Sequence, residues 1–193
     1  MPALYVAIAV GVLILLYVAL TYNMLVRLRQ HCKESWSGID TELKRRYELI
    51  PNLVETVKGY ARHEREVLQS VIEARSRAVA STGAPDSQAR DENVFVGALR
   101  KLFAVAEGYP ELKASANFLA LQQQLAETED RIQAARRFYN ANVRDMNTRV
   151  EVFPSNLIAR TFGFTKQEFF EIEDAGVRAA AKLELGPAAQ SAG

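Results

Sequence analysis

The residues most able to do nucleophilic or metal chemistry in this chain are two histidines and one cysteine. His63-Glu64 begins a His-Glu-x-x-His pattern, in which two histidines on one helical face bind zinc and the glutamate acts as a base. Val67 occupies the position of the second zinc ligand, so the pattern is incomplete. His31 and Cys32 are adjacent, and adjacent side chains on a helix point about 100° apart. The sequence therefore predicts neither a zinc site nor a cysteine–histidine dyad.

Clusters of charge are the remaining candidates for chemistry. Charged residues lie between Thr128 and Arg131 and at Arg136-Arg137. We favour solvated helix faces and ion pairs between helices over a catalytic site at these positions. Catalysis needs a nucleophile, base or metal grouped in a pocket, and the sequence has no Gly-rich phosphate loop and no Gly-x-Ser-x-Gly elbow. We therefore expect no enzymatic activity, no cofactor and no metal, with a hydrolase or metalloenzyme as the least favoured alternative.

Composition indicates a helical protein without general affinity for nucleic acid. The chain has 193 residues, 24 basic and 23 acidic, with a formal net charge of +1. That balance provides no basic footprint for DNA or RNA. Helix-forming residues are abundant, and no stretch alternates apolar and polar residues for long enough to build a sheet. The predicted fold class is all-α.

The first 26 residues contain no charged side chain. Ala3 to Tyr22 is long enough to cross a bilayer core as a helix, and in hydrocarbon a helix satisfies its own backbone groups. Three tyrosines suit the two membrane interfaces: Tyr5, Tyr17 and Tyr22. Three small residues lie on one face and suit association with another helix: Ala3, Ala7 and Gly11. The sequence predicts a transmembrane signal-anchor over 1–26.

A cleaved signal peptide is the rival interpretation of this segment. It would need a basic start, a short apolar core and a small-residue cleavage site, and Met1-Pro2 carries no basic side chain. Arg27, Arg29 and Lys33 follow the apolar run directly. By the positive-inside rule these basic residues place the N-terminus outside and the body in the cytoplasm. The same three side chains are also candidates for contact with anionic lipid.

Helical periodicity continues from the span into the body. An apolar stripe at steps of 3, 4 or 7 predicts one helix from Ile39 past Val71, with Glu42 and Arg46 as an i,i+4 ion pair. Pro51 interrupts the stripe, because it lacks an N–H and its ring clashes with the carbonyl of Tyr47. We expect Pro51 to kink this helix rather than to end it.

The rest of the chain divides into two further helices and a compact segment. Turn chemistry predicts a loop over 81–91, and helices are expected over 92–107 and 117–152, with Asn142 as a polar position in the long heptad seam of the second. The prediction is an elongated antiparallel bundle of three main helices over 27–172, continuous with the span. It closes with a short aromatic-rich segment and a disordered tail over 173–193.

The ordered motifs of this chain resemble those of the LemA family. The resemblance runs from residue 1 to about 172 and is carried by Tyr22-Asn23-x-Leu25-Val26, Trp36-x-x-Ile39-Asp40, the stretch from Leu43 to Tyr60, Leu102-Phe103-Ala104, Tyr109-Pro110-x-Leu112-Lys113-Ala114, Asn117-Phe118, Glu127-Thr128-Glu129-Asp130, Ala135-Arg136-Arg137-Phe138-Tyr139-Asn140 and Phe153-Pro154-Ser155-Asn156.

The resemblance implies a bacterial single-pass protein of the inner membrane, with its N-terminus outside, a helical body and no known enzymatic activity. It also implies association with membrane proteases, or in one branch with magnetosome membranes. We expect a membrane-anchored scaffold or adaptor that presents helix faces to a membrane partner such as a protease. The alternative is a homo-oligomeric assembly that organises the membrane or responds to stress.

Overall fold

The computed structural model describes residues 2–81 and 83–172, and the predicted disordered tail over 173–193 lies outside these ranges. All regular structure in the described residues is helical, which confirms the all-α prediction. There are six helices: α1 (Pro2–Tyr60), α2 (Arg65–Ala80), α3 (Pro85–Glu107), α4 (Pro110–Lys113), α5 (Ala116–Glu151) and α6 (Ser155–Thr161).

Helix α1 joins the apolar segment to the body without a break, as the periodicity predicted. In the described part of the chain it is the one helix that is long and apolar enough to cross a membrane. None of its most hydrophobic stretch is buried within the structure. An apolar surface of this length that no protein covers is suited to hydrocarbon.

The first helix ends earlier than the sequence predicted. The apolar stripe was interpreted as one helix from Ile39 past Val71, but α1 ends at Tyr60 and α2 begins at Arg65. Residues 61–64 form a turn closed by the Glu64 N–H, which donates to the Ala61 carbonyl at 3.2 Å. The turn is short, and the apolar residues at its start and beyond it, such as Ala61 and Leu68, keep a helical spacing of seven residues. The periodicity of the sequence therefore could not reveal the turn.

The predicted loop over 81–91 is also wrong in its second half, because α3 begins at Pro85. Proline is well suited to the first helical position, where its fixed φ is helical and its missing N–H would have had no partner. Asp86 adds a carboxylate to the first turn, which favours the helix N-terminus. The turn chemistry of this segment therefore includes a helix start.

Helix α5 matches its prediction to within one residue at each end. Its seam is buried at seven-residue spacing, through Phe118, Leu125, Ile132, Tyr139 and Met146. Gly108 follows the end of α3, and Pro110 opens α4. Burial at that spacing shows that one face of α5 packs on the protein along most of its length.

The packing divides the chain into two units. The anchor unit comprises the described residues 2–37 and 137–169, and the core unit comprises 38–136 with 170–172. Within the core unit the second half of α1 packs with α2, α3 and the first half of α5. Its contacts include Tyr47 with Phe95 and Phe103 with Phe118, with ring centroids 5.9 Å and 6.2 Å apart.

Candidate functional site

The side chains predicted for the span are exposed along most of its length. Ala3, Tyr5, Ala7 and Tyr17 all lie on the surface. A Cβ built at Gly11 would meet no atom within 4 Å. The small-residue face is therefore uncovered in a single chain and open to lipid or to another helix.

Packing of the anchor unit begins at the last turn of the apolar run. Val18 is half-buried and Thr21 is buried. The Tyr22 ring meets Phe162 and Phe164 edge-on, at centroid distances of 4.9 Å and 5.7 Å. The predicted interfacial tyrosine thus packs the chain just after α6 against the end of the apolar run.

The three basic residues after the span differ in their surroundings. Arg27 and Lys33 are exposed. The guanidinium of Arg29 lies over the Phe164 ring at 5.1 Å, a cation–π contact. Arg29 therefore helps to fix the segment after α6 to α1, whereas Arg27 and Lys33 remain exposed.

Residues 152–162, called the aromatic tip below, comprise the link that follows α5, helix α6 and Phe162, and they expose large apolar side chains. Phe153 is 74% exposed, Leu157 55% and Phe162 51%. The Ser155 hydroxyl donates to the carbonyls of Arg149 and Val152, at 2.7 Å and 2.8 Å, and so holds the connection. Gly163 follows α6 with φ +69°, a conformation that favours glycine.

The chain then returns along α5 in an extended segment. The Gln167 N–H donates to Asn147 Oδ1 at 2.8 Å, and Asn147 Nδ2 donates to the Gln167 carbonyl at 2.9 Å. The Tyr139 hydroxyl donates to the Glu168 carbonyl at 2.8 Å, and burial raises its pKa to about 12. These bonds fix the geometry of the segment that leaves the aromatic tip.

A buried ion cluster lies in the centre of the core unit. Arg46 is 1% exposed, and it donates to Glu129 at 2.8 Å and to Glu92. The Tyr47 hydroxyl donates to the other oxygen of Glu92. The guanidinium also lies over the Phe95 ring at 5.3 Å. The cluster therefore ties α1, α3 and α5 together.

The cluster contains two carboxylates for one guanidinium. Burial raises the pKa of Glu92, an effect opposed by Arg46 and by the hydrogen bond from Tyr47. Burial and the adjacent Glu92 carboxylate raise the pKa of the Tyr47 phenol in turn. Protonation of Glu92 would remove the excess negative charge from this buried site, which is consistent with its raised pKa.

The predicted Glu42–Arg46 pair is wrong. Glu42 pairs with Arg45 at 3.0 Å, one position before Arg46. The sequence did contain an indication of the cluster, because each charged member lies three or four residues from apolar residues of its own helix and so shares their face. These neighbours are Leu43 and Ile50 for Arg46, Phe95 and Val96 for Glu92, and Leu125 and Ile132 for Glu129. A charged residue at such a position on each of three helices indicates a shared buried site.

Helix α1 runs through Pro51 without ending, as predicted. The kink itself stays a prediction. Because proline has no N–H, the Tyr47 carbonyl lacks its helical donor. Arg75 Nε on α2 donates to that carbonyl at 2.8 Å. A side chain from the next helix thus satisfies the backbone group that Pro51 leaves without a helical partner.

An open cleft of about 720 Å³ lies where α1 and α2 meet. Its apolar side is formed by Ile72, which is exposed, above the buried side chains of Val54 and Leu68. Arg62 and Arg65 contribute basic groups, and Lys58 is paired with Glu55 at 3.1 Å. An apolar groove with a charged rim is a common way to bind an amphipathic helix.

The candidate metal and nucleophile residues do not come together. His63 is exposed in the α1–α2 turn, and His31 is exposed while Cys32 is buried. Burial raises the pKa of the Cys32 thiol, with a further contribution from Asp145. Across residues 2–81 and 83–172, no three histidine, cysteine or acidic side chains are grouped as a metal site requires.

An exposed apolar helix of membrane-spanning length, continuous with an all-α body that encloses an ion cluster, defines a helical protein built around an N-terminal anchor. The chain belongs to the LemA family, whose model matches residues 35–184. It is 26% identical over 180 residues to magnetosome protein MamQ 2 of Paramagnetospirillum magneticum, covering 80% of this chain and 66% of that relative. It is also 26% identical over 175 residues to protein LemA of Metamycoplasma hominis, covering 89% of this chain and 78% of that protein. The chain thus spans just under two thirds of the magnetosome relative's length.

Proposed function

We propose that this protein is a non-enzymatic, membrane-anchored scaffold that presents the α1–α2 cleft to a helix of a membrane partner. The observation that carries the proposal is the cleft itself, with its apolar side and the basic groups of Arg62 and Arg65. Ile72 is a large apolar side chain that is 43% exposed in this cleft. Such a surface fits an amphipathic helix whose apolar face is flanked by acidic residues.

The proposal places the protein in the inner membrane with the N-terminus outside and the body in the cytoplasm. Arg27 and Lys33, exposed just after the apolar run, support this orientation. A reporter that works only in the cytoplasm, fused after Gly193, should be active. Activity of a reporter that works only after export, fused at the same point, would reverse the orientation.

Photo-crosslinking in native membranes tests the cleft. A crosslinking amino acid at Ile72 should capture a partner protein, and Ile72→Asp should abolish capture from a second cleft position, Gln69. Val79 is the matched control because it lies seven residues further along α2, is 50% exposed and is not part of the cleft. Equal loss of capture with Val79→Asp would contradict the proposal. A membrane protease is the first partner to look for among the captured proteins.

The alternative function is a homo-oligomeric assembly that organises the membrane. Its support is the uncovered face of Ala3, Ala7 and Gly11, where helices can approach closely in lipid. A relative of the chain is named as a magnetosome protein, which makes membrane organisation the second hypothesis. Mass in mild detergent separates a monomeric scaffold from an assembly. Gly11→Leu should dissociate an assembly formed through this face, and multimers that survive Gly11→Leu would place the interface elsewhere.

A further inference from the structure

The aromatic tip lies beside the end of the span. The Phe162 ring is 4.9 Å from Tyr22, and Tyr22 is the last residue of the stretch that is long enough to cross a bilayer core. Thr21, one residue inside that stretch, is already buried by the anchor unit. If Ala3 to Tyr22 fills the hydrocarbon core, the aromatic tip is therefore at the depth of the membrane interface and not in the water beyond it.

The exposed side chains of the aromatic tip suit that depth. Phe153 is the most exposed of the large apolar residues in the described chain, at 74%. Leu157 and Arg160 are both exposed and lie one helical turn apart on α6. An apolar side chain beside a long cationic one is typical of interfacial elements, where the cation extends to the headgroups.

We infer that the aromatic tip inserts into the headgroup region of the bilayer that the span crosses, as a second membrane attachment. Phe153, Leu157 and Phe162 contact the acyl–headgroup boundary, and Arg160 faces lipid phosphates. The occupant of this surface is lipid because the surface is continuous with the lipid-facing side of the span at Tyr22. The inference concerns a different surface from the α1–α2 cleft, so either can fail without the other.

Depth-dependent fluorescence quenching of the full chain tests the inference. The buried Cys32 is first replaced by Ala, and Phe153→Cys or Leu157→Cys is labelled with an environment-sensitive fluorophore. The protein is then placed in phosphatidylcholine–phosphatidylglycerol vesicles that contain lipid with a nitroxide near the headgroup. Retention of the helical circular dichroism spectrum verifies that each variant folds.

Phe138→Cys is the matched control. Phe138 is 63% exposed and belongs to the same unit, but it lies about 20 Å along α5 from Glu151. Lipid nitroxide should quench the label at 153 at least about threefold more strongly than at 138, because an interfacial element lies roughly 5–10 Å into the headgroup region. Iodide in the water should show the opposite preference.

Two results would overturn the inference. Equal iodide quenching at 153, 157 and 138 would show that the aromatic tip stays in water. Blue-shifted emission at 153 without quenching by lipid nitroxide would show that a protein, either a second copy or a partner, covers the aromatic tip instead of lipid.

Discussion

Phe95 in the core unit and Phe153 in the anchor unit are the same residue type in opposite surroundings, 0% and 74% exposed. Charged groups follow the same division. The core unit buries Arg46 with two glutamates, whereas Lys166 and Glu151 of the anchor unit pair on the surface. The core unit carries exposed ion pairs, such as Lys44 with Asp40, on a surface suited to water. The exposed apolar side chains of the anchor unit form a surface suited to lipid.

The largest effect should come from removing the cation of the buried cluster. Arg46→Met leaves Glu92 and Glu129 buried without a counter-ion, which should lower the free energy of unfolding by about 3–5 kcal/mol. Denaturant unfolding of the detergent-solubilised protein measures the change. Arg45→Met is the matched control, because Arg45 is exposed and its pair with Glu42 should contribute little. Similar stability of the two variants would show that burial of the cluster is not what distinguishes the core unit.

A smaller effect is expected at the carbonyl next to Pro51. Arg75→Met removes the donor to the Tyr47 carbonyl, and a buried acceptor without a partner costs about 1–3 kcal/mol. Pro51→Ala restores a helical N–H and should also straighten α1. In the Pro51→Ala background, Arg75→Met should therefore lower the free energy of unfolding by clearly less than it does in the native chain. A double-mutant cycle on unfolding free energies measures this coupling, and strictly additive effects would refute the compensation.

The third effect is a pH dependence that belongs to the core unit alone. Because burial raises the pKa of Glu92, the folded state binds this proton more tightly than the unfolded state. The stabilisation is complete at acidic pH and is lost as the pH rises above the ordinary glutamate range through the raised pKa. Glu92→Gln removes the titration, so its stability relative to the native chain should increase with pH. Thermal melts of both proteins across mildly acidic to neutral pH measure the difference, and parallel curves would rule out the raised pKa.

The smallest effect should come from the aromatic tip. Phe153→Ala should change the unfolding free energy by no more than about 0.5 kcal/mol, as expected for an exposed side chain. Phe95→Ala is the contrasting change, because truncating a buried phenylalanine costs about 3–5 kcal/mol. Both are measured by denaturant unfolding in detergent. A large loss with Phe153→Ala would mean that its ring supports the fold and is not available for lipid.

Several features of this protein follow from local sequence. The uncharged run before Arg27 predicts the exposed apolar helix, because its length and polarity need no tertiary information. The seam of α5 follows in the same way from 3–4 spacing, which reports which side chains share a face. Its bounds were predicted to within one residue, and Pro154 marks the C-terminal bound because it follows the helix closely in sequence.

Other features depended on which helices meet. Spacing placed Arg46 on a helical face but could not tell that Glu92 and Glu129, far along the chain, would neutralise it there. The turn after Tyr60 and the bond from Arg75 to the Tyr47 carbonyl arise only when α2 folds back on α1. The contact of Phe162 with Tyr22 likewise joins residues that only the tertiary structure brings together. Local sequence determined where apolar surface exists, and tertiary packing decided which part of it is covered, because burial depends on partners distant in the chain.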